Sequence, residues 1–166
     1  QPQMRCVLGL FEGVVTGAAD GYARMADKPA CTLLHTGPGL ANGLANIHNA
    51  RRANTPMVNV VGDHATHHLA FDAPLTSDIE SFAKPVSHWV GRSQSADTLG
   101  YTTAEAITQA RIAPGRIANL ILAADHAWRP TQAAAVRATP PGLGNAPRAD
   151  AIDQVVRVMR QSGTNA

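Results

Sequence analysis

Short apolar runs alternate with helix-patterned stretches along nearly the whole chain, and this alternation limits the available folds more than any other feature. Strand-like runs fall near 5–10, 30–35, 57–62, 85–91 and 117–123, and helix-like runs near 13–26, 40–53, 96–112 and 151–161. Neighbouring parallel strands need a long crossover, which a helix supplies compactly, so the pattern predicts an α/β three-layer sandwich, a mostly parallel sheet with helices on both faces. In the first helix apolar residues recur at Val15, Ala18, Ala19, Tyr22 and Ala26, and in the second at Leu40, Leu44 and Ile47, the stripes expected to face the sheet. Both helices are rich in Ala and Gly, which permits close approach to a neighbouring layer.

At 166 residues, 45% of them apolar, the chain can bury one sizeable core, so one domain plus a tail is expected. The net charge of +2 is thinly spread, with no basic cluster longer than Arg51-Arg52, which argues against nucleic-acid and membrane partners. Cys6 and Cys31 lie in apolar runs without metal or redox spacing and read as buried thiols. No apolar run approaches the ~18 residues of a membrane span and no charged-then-apolar leader opens the chain, so a cytoplasmic location is expected.

Both ends read as cut. The chain opens on Gln1 and enters its first apolar run almost at once. The composition over 129–148 turns to Pro, Ala and Gly, as in Thr139-Pro140-Pro141-Gly142, which is linker chemistry. An amphipathic pattern follows, with Ile152, Val155, Val156 and Met159 at helical spacing. The expected division is a domain over 1–128, a linker over 129–148 and the start of a further domain over 149–166, whose helix could alternatively pack back on the core.

Glu12 sits where the run Cys6-Val7-Leu8-Gly9-Leu10-Phe11 meets the first helix pattern. A carboxylate at the carboxyl end of a strand lies where open α/β sheets bind ligands, and it also suits a helix N-terminus with its free N–H groups and dipole. The next strand-like run ends in His35-Thr36-Gly37-Pro38-Gly39-Leu40-Ala41-Asn42. Glycines there would let the backbone approach a flat ring, Pro38 would stiffen the turn, and Asn42 would tie the turn to its helix. The long stretch 63–78 carries His64, His67, His68, Asp72 and Asp78, and a surface loop is the favoured reading over a metal site.

The order Glu12, Ala19-Asp20-Gly21-Tyr22-Ala23-Arg24, Thr36-Gly37-Pro38-Gly39 with Asn42, then Thr55-Pro56 and an apolar run ending at Gly62 resembles the pyrimidine-binding domain of thiamine-diphosphate-dependent enzymes of the acetolactate synthase and benzoylformate decarboxylase kind. The resemblance covers 4–128 and is densest over 12–62. It implies that Glu12 hydrogen-bonds the ring nitrogen N1′ of the aminopyrimidine and favours its imino tautomer. A partly apolar pocket walled by Leu10, Phe11 and Val14 would assist. It further implies that Thr36, Gly37, Pro38, Gly39 and Asn42 line the cofactor, and that His35 faces the carboxylate of a 2-keto acid substrate. Domains of this family carry a strand and a helix before the first run seen here, so the front is expected to be truncated. The Gly-Asp-Gly and downstream Asn-Asn of the family's diphosphate site are absent from the sequence. The resemblance therefore implies that Mg2+ and the diphosphate are held by another domain, with the cofactor shared with a second subunit of a homodimer or homotetramer. It also implies that the chain is inactive alone.

Two departures leave the substrate open: Phe11 stands where synthases often carry His, and Ala73-Pro74-Leu75-Thr76 stands where they carry a Phe-Gln-Glu run. Two other functions fit the residues. Gly37-x-Gly39-x-x-x-Gly43 opening a helix, with Asp63 near the next strand's end, suits a nicotinamide-dinucleotide-binding domain of an oxidoreductase. A non-catalytic assembly or regulatory module would use the same helices against a partner.

Overall fold

A computed structural model describes residues 4–140 and 147–163. Four strands form one sheet, β1 (Ala30–His35), β2 (Met57–Asp63), β3 (Trp89–Arg92) and β4 (Ile117–Ala123), in the order β1-β2-β4-β3 with every neighbouring pair parallel. Helices α1 (Glu12–Ala26), α2 (Thr36–Arg52) and the short α3 (Ile79–Ala83) cover one face, and α4 (Leu99–Ala110) covers part of the other. The short α5 (Ala124–Trp128) follows β4, and α6 (Ala149–Gln161) comes last. This is the α/β sandwich with helices on both faces that the alternation predicts.

Strand alternation sorts the core. Ala30, Leu34, Met57, Val61, Ile117 and Ile121 pack under α1 and α2, while Val58, Ala118 and Leu120 pack under α4. Fully buried Leu40 and Ile47 carry α2 onto the first of these faces, at about 1.5–3 kcal/mol each. Among these apolar residues runs a buried polar line of register partners. Thr32 Oγ1 donates to Asn59 Oδ1 at 2.7 Å, Asn59 faces Asn119 across the β2–β4 pair, and Asn119 Nδ2 donates to Ser87 Oγ. A slip of one residue would break the Thr32–Asn59 and Asn119–Ser87 bonds, so the line favours this register.

Three expectations fail for identifiable reasons. The run 5–10 forms no strand: it joins no ladder, and Val7, Leu8 and Leu10 are 77%, 88% and 96% exposed. A strand needs a partner edge as well as an apolar pattern, and this run folds back so that a Cβ on Gly9 would meet Val15 Cγ2 at 2.4 Å. The strand expected over 85–91 is shifted to Trp89–Arg92 behind a 3-10 turn, Lys84–Val86, because Pro85 has no N–H for a ladder. The two cysteines are exposed, Cys6 in the unpaired run and Cys31 on the side of β1 that faces away from α1 and α2.

The core side of α1 is Thr16, Ala19 and Ala23, while Tyr22 is 52% exposed. The stretch expected as a linker begins as a strap along α4: Thr131 Oγ1 donates to Asp97 Oδ1 at 2.5 Å and Thr108 Oγ1 to the Thr139 carbonyl at 3.1 Å. Thr139 and Pro140 are described, but Pro141 and Gly142 lie outside the described residues. The apolar side chains of α6, Ile152, Val155, Val156 and Met159, are exposed. No helix among the described residues is long and apolar enough to cross a membrane.

One clamp holds the loop after β2 against the end of β4. Buried Asp125 accepts from the Thr66 backbone N–H at 2.9 Å and from the Thr66 hydroxyl at 2.7 Å, opening the 3-10 helix Thr66–Phe71. These two bonds hold the Asp125 carboxyl down at about 2, below the ordinary 3.8. A lowered folded-state pKa means stability present above the unfolded value and lost as pH falls toward the folded one. Denaturant midpoints are therefore expected to fall between about pH 5 and pH 2, with Asp125→Asn less stable at neutral pH and flatter across that window. Parallel pH profiles for the two proteins would show that the clamp contributes nothing to the acid sensitivity.

Candidate active site

Glu12 is the first residue of α1, half-buried, and its carboxylate leans toward α2 rather than along its own helix. Asn42 Nδ2 donates to Glu12 Oε2 at 3.2 Å. A Cβ built on Gly39 would lie 3.0 Å from Glu12 Oε1 and 3.6 Å from His35 Cβ, so glycine at this position lets the carboxylate and the histidine share one patch of helix surface. Glu12, His35, Gly39 and Asn42 are thus brought together from α1, β1 and α2.

The junction that does this contains no loop. His35 ends β1 and Thr36 begins α2, and the reversal is made by Thr36 itself at φ 55°. A β-branched residue rarely occupies the left-handed region, and such backbone strain, on the order of 1–3 kcal/mol, clusters at functional sites. The Thr36 side chain is buried and its hydroxyl donates to the His35 carbonyl at 2.7 Å. The expected turn at Thr36-Gly37-Pro38-Gly39 is therefore the first turn of α2, where Pro38 needs no N–H partner.

Other sequence-derived assignments shift. Asn42 ties Glu12 to α2, not the turn to its own helix. Gly37 is buried against the loop before α3: a Cβ there would meet Ser77 Oγ at 2.4 Å and Phe82 Cε2 at 3.3 Å. Leu10, Phe11 and Val14 are 96%, 52% and 62% exposed, so they wall no pocket within the described residues, and the Phe11 ring lies over Gly13 instead. Pro38 and the His35 side chain are exposed at the edge of the patch. His64 and His68 stack at 5.7 Å between ring centres, and no group of potential metal ligands occurs among the described residues.

Thr16 and Asn46, which support Glu12 alongside Asn42, were not singled out in the sequence. The single Thr16 hydroxyl proton is shared between the Glu12 carbonyl at 3.0 Å and the Gly43 carbonyl at 3.1 Å, and Asn46 Nδ2 donates to the Gly13 carbonyl at 2.7 Å. A Cβ on Gly43 would come within 2.8 Å of Thr16 Cγ2, so the Thr16 side chain packs directly on the α2 backbone at this glycine. The readable signal was spacing, since Gly39 and Gly43, and Asn42 and Asn46, stand one helical turn apart and share a face.

The family described as thiamine pyrophosphate enzyme, N-terminal TPP binding domain, matches residues 1–84, half of the chain. The chain belongs to that family. IlvX of Mycobacterium tuberculosis, whose designation as an acetolactate synthase large subunit is itself provisional, is 61% identical over 127 residues, 76% of this chain and 24% of that protein. Benzoylformate decarboxylase of Pseudomonas aeruginosa is 32% identical over 111 residues, 66% of this chain and 21% of that one. The solved benzoylformate decarboxylase of Polynucleobacter necessarius superposes with a TM-score of 0.84 at 24% identity over 95% of this chain and 30% of that one, a likeness of fold. The chain spans about a quarter or less of the length of these curated relatives.

Membership of this thiamine-pyrophosphate-binding family fits the geometry. The carboxylate has one oxygen held by Asn42, the other stands over Gly39 where a side chain would fill the space, and His35 stands beside it. The dinucleotide reading fits worse. Asp63 is buried and bound to Arg92 Nη1 at 2.7 Å, and the first glycine of the motif lies under Ser77.

Proposed function

We propose that this chain supplies the aminopyrimidine-binding part of a thiamine-diphosphate-dependent lyase or carboligase acting on a 2-keto acid, with the diphosphate and Mg2+ held by residues outside it. The observation that carries this reading is the Glu12 carboxylate, anchored through Oε2 by Asn42 and open at Oε1 above Gly39. The chemistry supplied by bound thiamine diphosphate is a nucleophilic carbon for the keto carbonyl and an electron sink for loss of CO2.

Within that scheme Glu12 Oε1 would hold or share a proton with ring nitrogen N1′, and the surface over Gly39 and Pro38 would take the flat ring. His35, projecting beside them, stands where it can bind a substrate carboxylate or carry a proton to the product carbon. Thr36 and Gly37 act one step back, Thr36 by its strained turn and Gly37 by admitting the Ser77 loop. A second subunit completes the site by covering what is open in this chain.

Calorimetric titration of thiamine diphosphate with Mg2+ is expected to give weak binding and no turnover for residues 1–166 alone, and tight binding once the domain carrying the diphosphate site is added. A stable chain indifferent to the cofactor even with that domain present would favour the non-catalytic assembly module instead.

A further inference from the structure

Glu12 has two carboxylate oxygens, and the structure treats them differently. Oε2 accepts from Asn42 Nδ2 at 3.2 Å, while Oε1 stands 3.0 Å from where a Gly39 Cβ would be and accepts no hydrogen bond among the described residues. We propose that Asn42 is a positioning residue which assigns the two oxygens separate tasks, holding Oε2 as a permanent acceptor and leaving Oε1 to meet the cofactor ring. The proposal rests on the functional reading above.

A carboxamide nitrogen donates and cannot accept, so the oxygen it holds is kept as an acceptor, and a proton shared with a ring must sit on the other oxygen. The bond is charge-assisted whenever Glu12 is ionised, the stronger class of hydrogen bond. Its two ends sit on elements that cannot drift apart. Thr16 to Gly43 and Asn46 to Gly13 pin α1 to α2 in the turns that follow it, at 3.1 and 2.7 Å. A site group held by a second residue, itself held by packed helices, keeps its direction when the ring arrives. Gly39 contributes the space and Asn42 the aim, one turn apart on one face of α2.

The test uses the full-length protein and reads hydrogen–deuterium exchange at C2 of bound thiamine diphosphate by quenched-sample NMR, with calorimetric affinity for the cofactor and the cofactor-free unfolding midpoint measured alongside. Asn42→Ala is expected to slow exchange about tenfold or more, the worth of one hydrogen bond to a charged group, with the unfolding midpoint unchanged. Asn42→Asp keeps the shape but replaces the donor with a like charge, and is expected to slow exchange at least as much. If Asn42 only filled space, Asn42→Asp would restore the wild-type rate and the proposal would fall. Wild-type exchange in both Asn42 variants, with slow exchange in Glu12→Gln, overturns the positioning role and leaves the functional reading standing. Wild-type exchange in Glu12→Gln overturns both. Should Asn42→Ala lower the unfolding midpoint, the isosteric Asn42→Asp decides the question.

Discussion

Glu12→Gln in the full-length protein is expected to cut cofactor C2 proton exchange and turnover by about a hundredfold or more, the scale of a lost proton-transfer group, with the fold unchanged. The amide keeps the length and shape of the side chain, so the contact over Gly39 survives, and its oxygen can still accept from Asn42. What is lost is the ability to hold a proton that can pass to and from a ring nitrogen. Because Glu12 is only half-buried and opens a helix, little core packing depends on it. Circular dichroism and unfolding midpoints should overlay those of the parent. A variant that binds the cofactor and turns over at the parent rate would remove Glu12 from the chemistry altogether.

Gly43→Val is expected to cost about 2–4 kcal/mol of stability in chemical denaturation, combining overpacking at a helix contact with loss of a buried hydrogen bond. The added Cβ alone would sit 2.8 Å from the methyl of Thr16, a β-branched side chain whose hydroxyl is held by hydrogen bonds, with the Glu12 carbonyl 3.7 Å away behind it. Separating α1 from α2 also breaks the bond from Thr16 Oγ1 to the Gly43 carbonyl and draws Glu12 away from Asn42. The two substitutions therefore separate what the site needs. Glu12→Gln removes chemistry and keeps structure, whereas Gly43→Val loosens the frame that aims the same carboxylate. Unaltered stability in the glycine variant would show that the helix contact yields more easily than its geometry implies.

Periodicity alone was enough for β1, β2 and β4, for α1, α2, α4 and α6, and for the core positions Leu40 and Ile47, because burying one face of a regular element leaves a repeating mark in the residues. Glu12, His35, Gly39 and Asn42 were legible, with Thr36, Gly37 and Pro38, only through the family resemblance that their order carries, and the structure gathers these four on one patch. The run 5–10 carries the same apolar signal as a true strand and yet stays exposed, since pairing depends on an edge elsewhere in the molecule.

Tertiary structure alone decided which glycine faces the Glu12 carboxylate and which packs under the Ser77 loop, since Gly37 and Gly39 differ only in what lies across from them. It also decided that Thr36, not the glycines, makes the reversal into α2, and that Asn42, Asn46 and Thr16 lock two helices around Glu12. Residue types and spacing record the local demands of helix and strand. Contacts between residues some thirty positions apart, such as Glu12 with Asn42, leave no periodic trace and exist only once α1 lies against α2.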